Sequence, residues 1–182
     1  MLFRSAQAPA PNKGGVYGRD DRRALPAEYE PLRKSIAQLE TRVGRRTFLC
    51  TGFCVGDNVI ATASHCVTEP EIRGNLSRVT IGLGQGADRR TSTIEGRTTD
   101  ELQWSILTGT SAVRSDATRS NFSQDWALLR TQQPICKGRV LPIVARGENP
   151  TDLPAALEKN VFLIAFHHDT GARTLRFGDA CH

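Results

Sequence analysis

Short apolar runs alternate with turn clusters along most of this chain. Phe53 and Val55 alternate with small or polar neighbours, and Gly56-Asp57-Asn58 forms a turn cluster. Val59-Ile60-Ala61-Thr62 then reads as a buried return strand, so the whole stretch predicts a β-hairpin. The hairpin leads to His65, which sits between Cys50 at its start and Cys66 just beyond it. Residues 78–83 alternate and predict a strand, followed by a glycine-rich turn at 84–88. A strand edge is expected at 91–95, and the β-branched residues of 104–108 and 110–113 predict a long or bulged strand. A polar loop at 114–123 ends just before Asp125, and Trp126-Ala127-Leu128-Leu129 reads as a buried strand. Residues 148–159 read as loop with a short helix at 154–159. The last third offers a strong strand at 161–166, a turn through His167 and His168, and a return strand at 174–177.

Composition fits this all-β pattern. The 182 residues are long enough for one domain, and 16 glycines with 9 prolines suit many turns rather than a helix bundle. No apolar stretch approaches the length of a membrane-spanning helix. Residues 1–15, rich in Pro, Ala, Gly and Asn, predict a disordered leader. Met1-Leu2-Phe3-Arg4 lacks the apolar core of a signal peptide, although Ala6-Gln7-Ala8 resembles the cleavage end of one. The net charge of +5 is carried mostly by arginines scattered along the chain. No aromatic residues interleave with them, so they read as a solvated surface and no nucleic-acid partner is assigned. Five cysteines point to an oxidising compartment.

The motifs around the hairpin resemble a known family. Thr62-Ala63-Ser64-His65-Cys66 is similar to the T-A-x-H-C motif of the trypsin/chymotrypsin-like serine proteases. Asp125-Trp126-Ala127-Leu128-Leu129 resembles their D-[IL]-A-L-L segment, Val140-Leu141-Pro142-Ile143 their interdomain L-P-[IL] element. Gly18-Arg19-Asp20-Asp21-Arg22 resembles the G-x-D-D-R opening of bacterial and glutamyl-endopeptidase-like members. The features come in the family's order and cover roughly residues 16–181.

The resemblance implies an all-β, trypsin-like double six-stranded β-barrel. The N-terminal barrel, residues 16–135, would be complete; residues 136–182 would begin the second. It implies a disulfide between Cys50 and Cys66. Cys181 would pair with Cys136 or with a partner beyond the end, and Cys54, inside the hairpin, reads as a buried free thiol. The resemblance also decides a conflict at 28–43. Leu32, Ile36, Leu39 and Val43 recur at helical spacing, yet the family has its first barrel strand at 35–41 with Ile36 facing in, and the strand is preferred. A short helical turn is expected at 67–71. Val16 reads as part of a plain first strand rather than as an inserted new N-terminus.

The implied activity is that of a serine endopeptidase acting on protein or peptide substrates in a secreted or periplasmic setting. His65 would be the general base and Asp125 the carboxylate that orients it. The family's G-[DN]-S-G-G nucleophile motif is absent: the chain ends Phe177-Gly178-Asp179-Ala180-Cys181-His182, which reads as a truncation ahead of the serine. Ser64 is disqualified as nucleophile, because neighbouring side chains diverge. The chain alone is therefore expected to be inactive. A non-catalytic binding protein on a protease-like scaffold is the alternative. A zinc site drawn from Cys50, Cys54, Cys66 and His65 lacks a second close cysteine pair. His167-His168 reads as a solvated turn, and Gly82-Leu83-Gly84-Gln85-Gly86 precedes no helix pattern and so is no phosphate loop. No metal, cofactor, nucleic-acid or membrane partner is assigned.

Overall fold

The structure is a computed structural model. It describes residues 22–43, 45–68, 78–94, 105–109, 125–143, 162–166 and 174–178. In chain order the elements are β1 (Arg23–Ala24), a 3-10 helix (Ala27–Ser35), β2 (Ile36–Val43), β3 (Arg46–Gly56) and β4 (Val59–Thr62). There follow α1 (His65–Thr68), β5 (Arg78–Leu83), a 3-10 turn (Gly86–Asp88), β6 (Arg90–Ile94) and β7 (Ile106–Thr108). β8 (Ala127–Arg130), β9 (Leu163–Phe166) and β10 (Leu175–Gly178) complete the described elements.

Two sheets result. Seven strands hydrogen-bond in the order β6-β5-β2-β3-β4-β8-β7, and every pairing is antiparallel. The smaller sheet has three strands in the order β1-β10-β9. This is a curled, trypsin-like β-barrel fold with a partial second barrel. Among the described residues the larger sheet counts seven strands, with β6 and β7 at its two ends.

Alternation explains the packing of the larger sheet. Cys54, Ile60 and Leu129 lie on one face of adjacent strands and are fully buried with Leu39, Val79, Ile81 and Leu83. The opposite face of the same strands carries Phe53, Ala61, Leu128 and Leu107 as direct cross-strand neighbours. Gly52 is dictated by close approach: a Cβ there would sit 2.7 Å from Cγ2 of Ile60 and 2.8 Å from Cδ1 of Leu39. Gly84, after β5, takes φ of +71°, which a side chain would resist.

The conflict at 28–43 resolves in both directions. Ala27–Ser35 coils as a 3-10 helix, and Ile36 onward is strand. Ile36 does not face the main core as expected. It packs with Leu25, Leu175 and Phe177 in a second cluster, while Ala37 and Leu39 on the other face enter the main core. β2 is thus buried on both faces at its start. That erases the simple alternation and leaves an apolar spacing that mimics a helix.

Two further expectations are corrected. Cys54 is not a free thiol: it is bonded to Cys136, with Cα atoms 5.6 Å apart. Cys136 is therefore not the partner of Cys181, which lies outside the described residues. The pairing is made possible by the segment after β8, which folds onto the hairpin turn. Thr131 N–H and Cys136 N–H donate to the carbonyls of Asn58 and Asp57, each at 2.9 Å. Leu141 N–H then donates to the carbonyl of Cys54 at 2.8 Å. Trp126, expected in a buried strand, precedes β8 and is exposed. Strands β5 to β7, β9 and β10 fall within or beside their expected ranges. The expectations for residues 1–21, 110–124, 144–161 and 167–173 lie outside the described residues. Among the described residues no helix is long and apolar enough to cross a membrane.

Candidate active site

β4 and β8 are antiparallel partners, with Thr62 opposite Ala127 at the end of the ladder. The chain leaves β4 three residues before His65 and reaches β8 two residues after Asp125. Both residues therefore emerge at the same end of the same strand pair. The structure brings them into contact: Nδ1 of His65 lies 2.8 Å from Oδ2 of Asp125. The backbone N–H of His65 also donates to Oδ1 at 2.9 Å. One carboxylate thus holds both the ring and the main chain of the same histidine.

The turn beneath His65 is fixed by local bonds. Cys66 N–H and Val67 N–H donate to the carbonyls of Ala63 and Ser64 at 3.2 and 3.0 Å. The buried hydroxyl of Thr41 donates to the carbonyl of Cys66 at 3.2 Å, and Thr62 Oγ1 donates to that of Thr51 at 2.8 Å. The Cys50–Cys66 disulfide, with Cα atoms 6.1 Å apart, ties the residue after His65 back to β3. The supporting role of Thr41 was not legible in advance, because it reaches across 25 residues.

Electrostatics follow from this geometry. Burial works to raise the Asp125 pKa, but the opposing bonds and charge prevail and its carboxyl sits below the usual value. Those are the His65 backbone N–H, the His65 ring and its charge, and the Ser64 backbone N–H. An ionised carboxylate only accepts hydrogen bonds, so in the neutral ring Nδ1 carries the proton and Nε2 keeps a free lone pair. The His65 side chain is 45% exposed and that of Asp125 only 16%. The carboxylate is shielded and the ring is accessible.

One ring nitrogen of His65 and the sulfurs of Cys50 and Cys66 lie within 4.8 Å of one another. In the oxidised protein the two sulfurs are bonded to each other and offer no thiolate for a metal.

The fold is that of the trypsin/chymotrypsin-like serine proteases. The profile of the trypsin family matches residues 30–171, and the chain belongs to that family. Among solved structures, a Glu endopeptidase in complex with MPD is similar at a TM-score of 0.60 and 17% identity, covering 90% of this chain and 68% of that one. A structure of GrC matches at a TM-score of 0.49 and 18% identity, over 81% of this chain and 60% of that chain. HL collagenase matches at 0.46 and 18%, over 81% and 57%. A sequence search of curated proteins gave no significant match.

Proposed function

We propose that this chain carries the general base and the orienting carboxylate of a serine endopeptidase. The observation that carries the reading is the 2.8 Å contact between His65 Nδ1 and Asp125 Oδ2, with the ring exposed and the acid shielded. In this role Nε2 of His65 takes the proton of a serine hydroxyl as it attacks the scissile carbonyl. It then returns that proton to the leaving amine. Asp125 fixes the tautomer and stabilises the imidazolium between those steps. Cys50–Cys66 holds the base in register. Residues 16–135 form the unit that carries both groups, and residues 136–182 begin the second unit.

The 182 residues contain no G-[DN]-S-G-G motif. We therefore assign to this chain half of the catalytic apparatus and no turnover of its own. The substrate is a protein or peptide. The setting is extracytoplasmic, secreted or periplasmic, in keeping with two disulfides.

The test is made on this chain. A downfield His65 Nδ1–H proton resonance should be present and should vanish in Asp125→Asn, and casein should not be hydrolysed. Turnover by the 182-residue chain that His65→Ala abolishes would overturn the assignment of inactivity. Peptide binding by this chain that His65→Ala and Asp125→Asn both leave unchanged would favour the non-catalytic binding protein.

A further inference from the structure

We propose that Thr41 is a positioning residue for the His65–Asp125 pair, acting through the carbonyl of Cys66. Thr41 stands out by its surroundings. Ala37, Leu39 and Thr41 alternate along the core-facing side of β2, and of the three only Thr41 carries a hydroxyl. It is 1% exposed. Its direct cross-strand neighbours are Phe48 on β3 and Val79 on β5, both packed in the main core. Valine would fill the same space without a polar atom, so packing alone does not call for threonine. A hydroxyl buried this deeply needs a partner. It has one in the Cys66 carbonyl, to which it donates at 3.2 Å.

From that carbonyl a run of bonds leads to the acid. α1 has four residues, and so short a helix leaves its carbonyls without intrahelical donors. Thr41 supplies a donor from β2. The peptide unit that offers the Cys66 carbonyl also carries the Val67 N–H, which donates to the Ser64 carbonyl at 3.0 Å. The backbone N–H groups of Ser64 and His65 both donate to the Asp125 carboxylate, that of His65 to Oδ1 at 2.9 Å. Burial works against ionisation of Asp125, and these two main-chain bonds are among those that overcome it.

The Cys50–Cys66 disulfide holds the same turn to β3, but it constrains the side chain of Cys66 rather than its carbonyl. Thr41 constrains the carbonyl. Without the hydroxyl that peptide unit is free to tilt towards water, and it draws the Ser64–His65 turn off the carboxylate. The service of Thr41 to catalysis rests on the endopeptidase reading; its hold on the pair does not.

The experiment uses the oxidised 182-residue chain and two nuclear magnetic resonance readouts, the titration of the Asp125 carboxyl carbon and the solvent exchange of the His65 Nδ1–H. In Thr41→Val the Asp125 titration should move up towards the ordinary carboxylate value of about 3.9. The Nδ1–H should exchange about tenfold faster. Thr41→Ser restores the hydroxyl and should return both readouts to their native values. Val79→Ala thins the same core but leaves every bond of the run in place. It should lower the urea midpoint and move neither readout. Unmoved readouts in Thr41→Val, no recovery in Thr41→Ser, or an equal shift in Val79→Ala would each overturn the proposal. Should Thr41→Val not fold, Thr41→Ala is read against Thr41→Ser in the same way. The endopeptidase reading fails separately, through peptide binding that His65→Ala and Asp125→Asn leave unchanged.

Discussion

The larger and smaller sheets are built from the same kinds of residue but stand on different footing. The larger encloses Leu39, Ile60, Val79, Ile81, Leu83 and Leu129 without exposure, and both disulfides lie within it or at its edge. The smaller packs Leu25, Ile36, Leu175 and Phe177, and stacks Tyr29 on Phe177 with ring centroids 5.0 Å apart. It leaves Phe162 and Leu163 open to solvent. Only the larger sheet carries His65 and Asp125. The contrast teaches that the His65–Asp125 contact needs one sheet, while the second is a neighbour joined through Ile36 and through hydrogen bonding across the boundary. There Phe166 N–H donates to the side-chain hydroxyl Oγ1 of Thr51 at 2.8 Å.

The largest expected effect tests the footing of the larger sheet. Cys54–Cys136 closes a separation of 82 residues, against 16 for Cys50–Cys66. By loop entropy its removal costs about 4–5 kcal/mol, against roughly 3 kcal/mol for the shorter loop. The double variant Cys54→Ala/Cys136→Ala should show the greater fall in urea midpoint. An equal or smaller fall than Cys50→Ala/Cys66→Ala would break the ranking.

Next comes Phe177→Ala, which empties the smaller cluster. Truncation of a buried phenylalanine costs about 3–5 kcal/mol. Amides of β9 and β10 should lose hydrogen-exchange protection while the His65 Nδ1–H proton resonance persists. Loss of that resonance together with the protection would mean that the sheets fold as one unit.

A smaller, pH-dependent effect tests the pair itself. Asp125 titrates lower in the folded protein than its ordinary unfolded value of about 3.9. Its contribution is therefore complete above that value and lost as pH falls through the lowered folded one. As pH falls below about 4, the usual carboxylate value, urea stability should fall more steeply in the native chain than in Asp125→Asn. Parallel curves would sink the argument. The smallest effect belongs to Glu30 and Arg33 on the 3-10 helix. They form an exposed two-pronged pair at 2.6 and 2.7 Å. Arg33→Ala should cost no more than about 0.5 kcal/mol and vanish into the noise at high salt.

Much of the larger sheet was legible in the sequence because its signals are local. The hairpin from Phe53 to Thr62 announces itself by alternation and a turn, and the T-A-S-H-C and D-W-A-L-L segments each occupy a single short stretch. What could not be read locally was reached by long-range contact. Cys54 looked like an ordinary buried hairpin residue, since its partner becomes near only once residues 131–141 fold onto the turn. β2 misled for a related reason. Its residues answer to two cores, Ala37 and Leu39 to one and Ile36 to the other, and no single period records both. Trp126 carries an apolar side chain to the solvent side, which hydrophobicity alone does not foretell.

The facing of Thr62 with Ala127 has a wider consequence. That last rung fixes how far apart His65 and Asp125 stand, so the tally of residues along the excursion between them is immaterial to their contact. An insertion into that excursion should leave the His65–Asp125 contact intact. A single-residue slip in the rung would turn every side chain of β4 inside out and undo it at once.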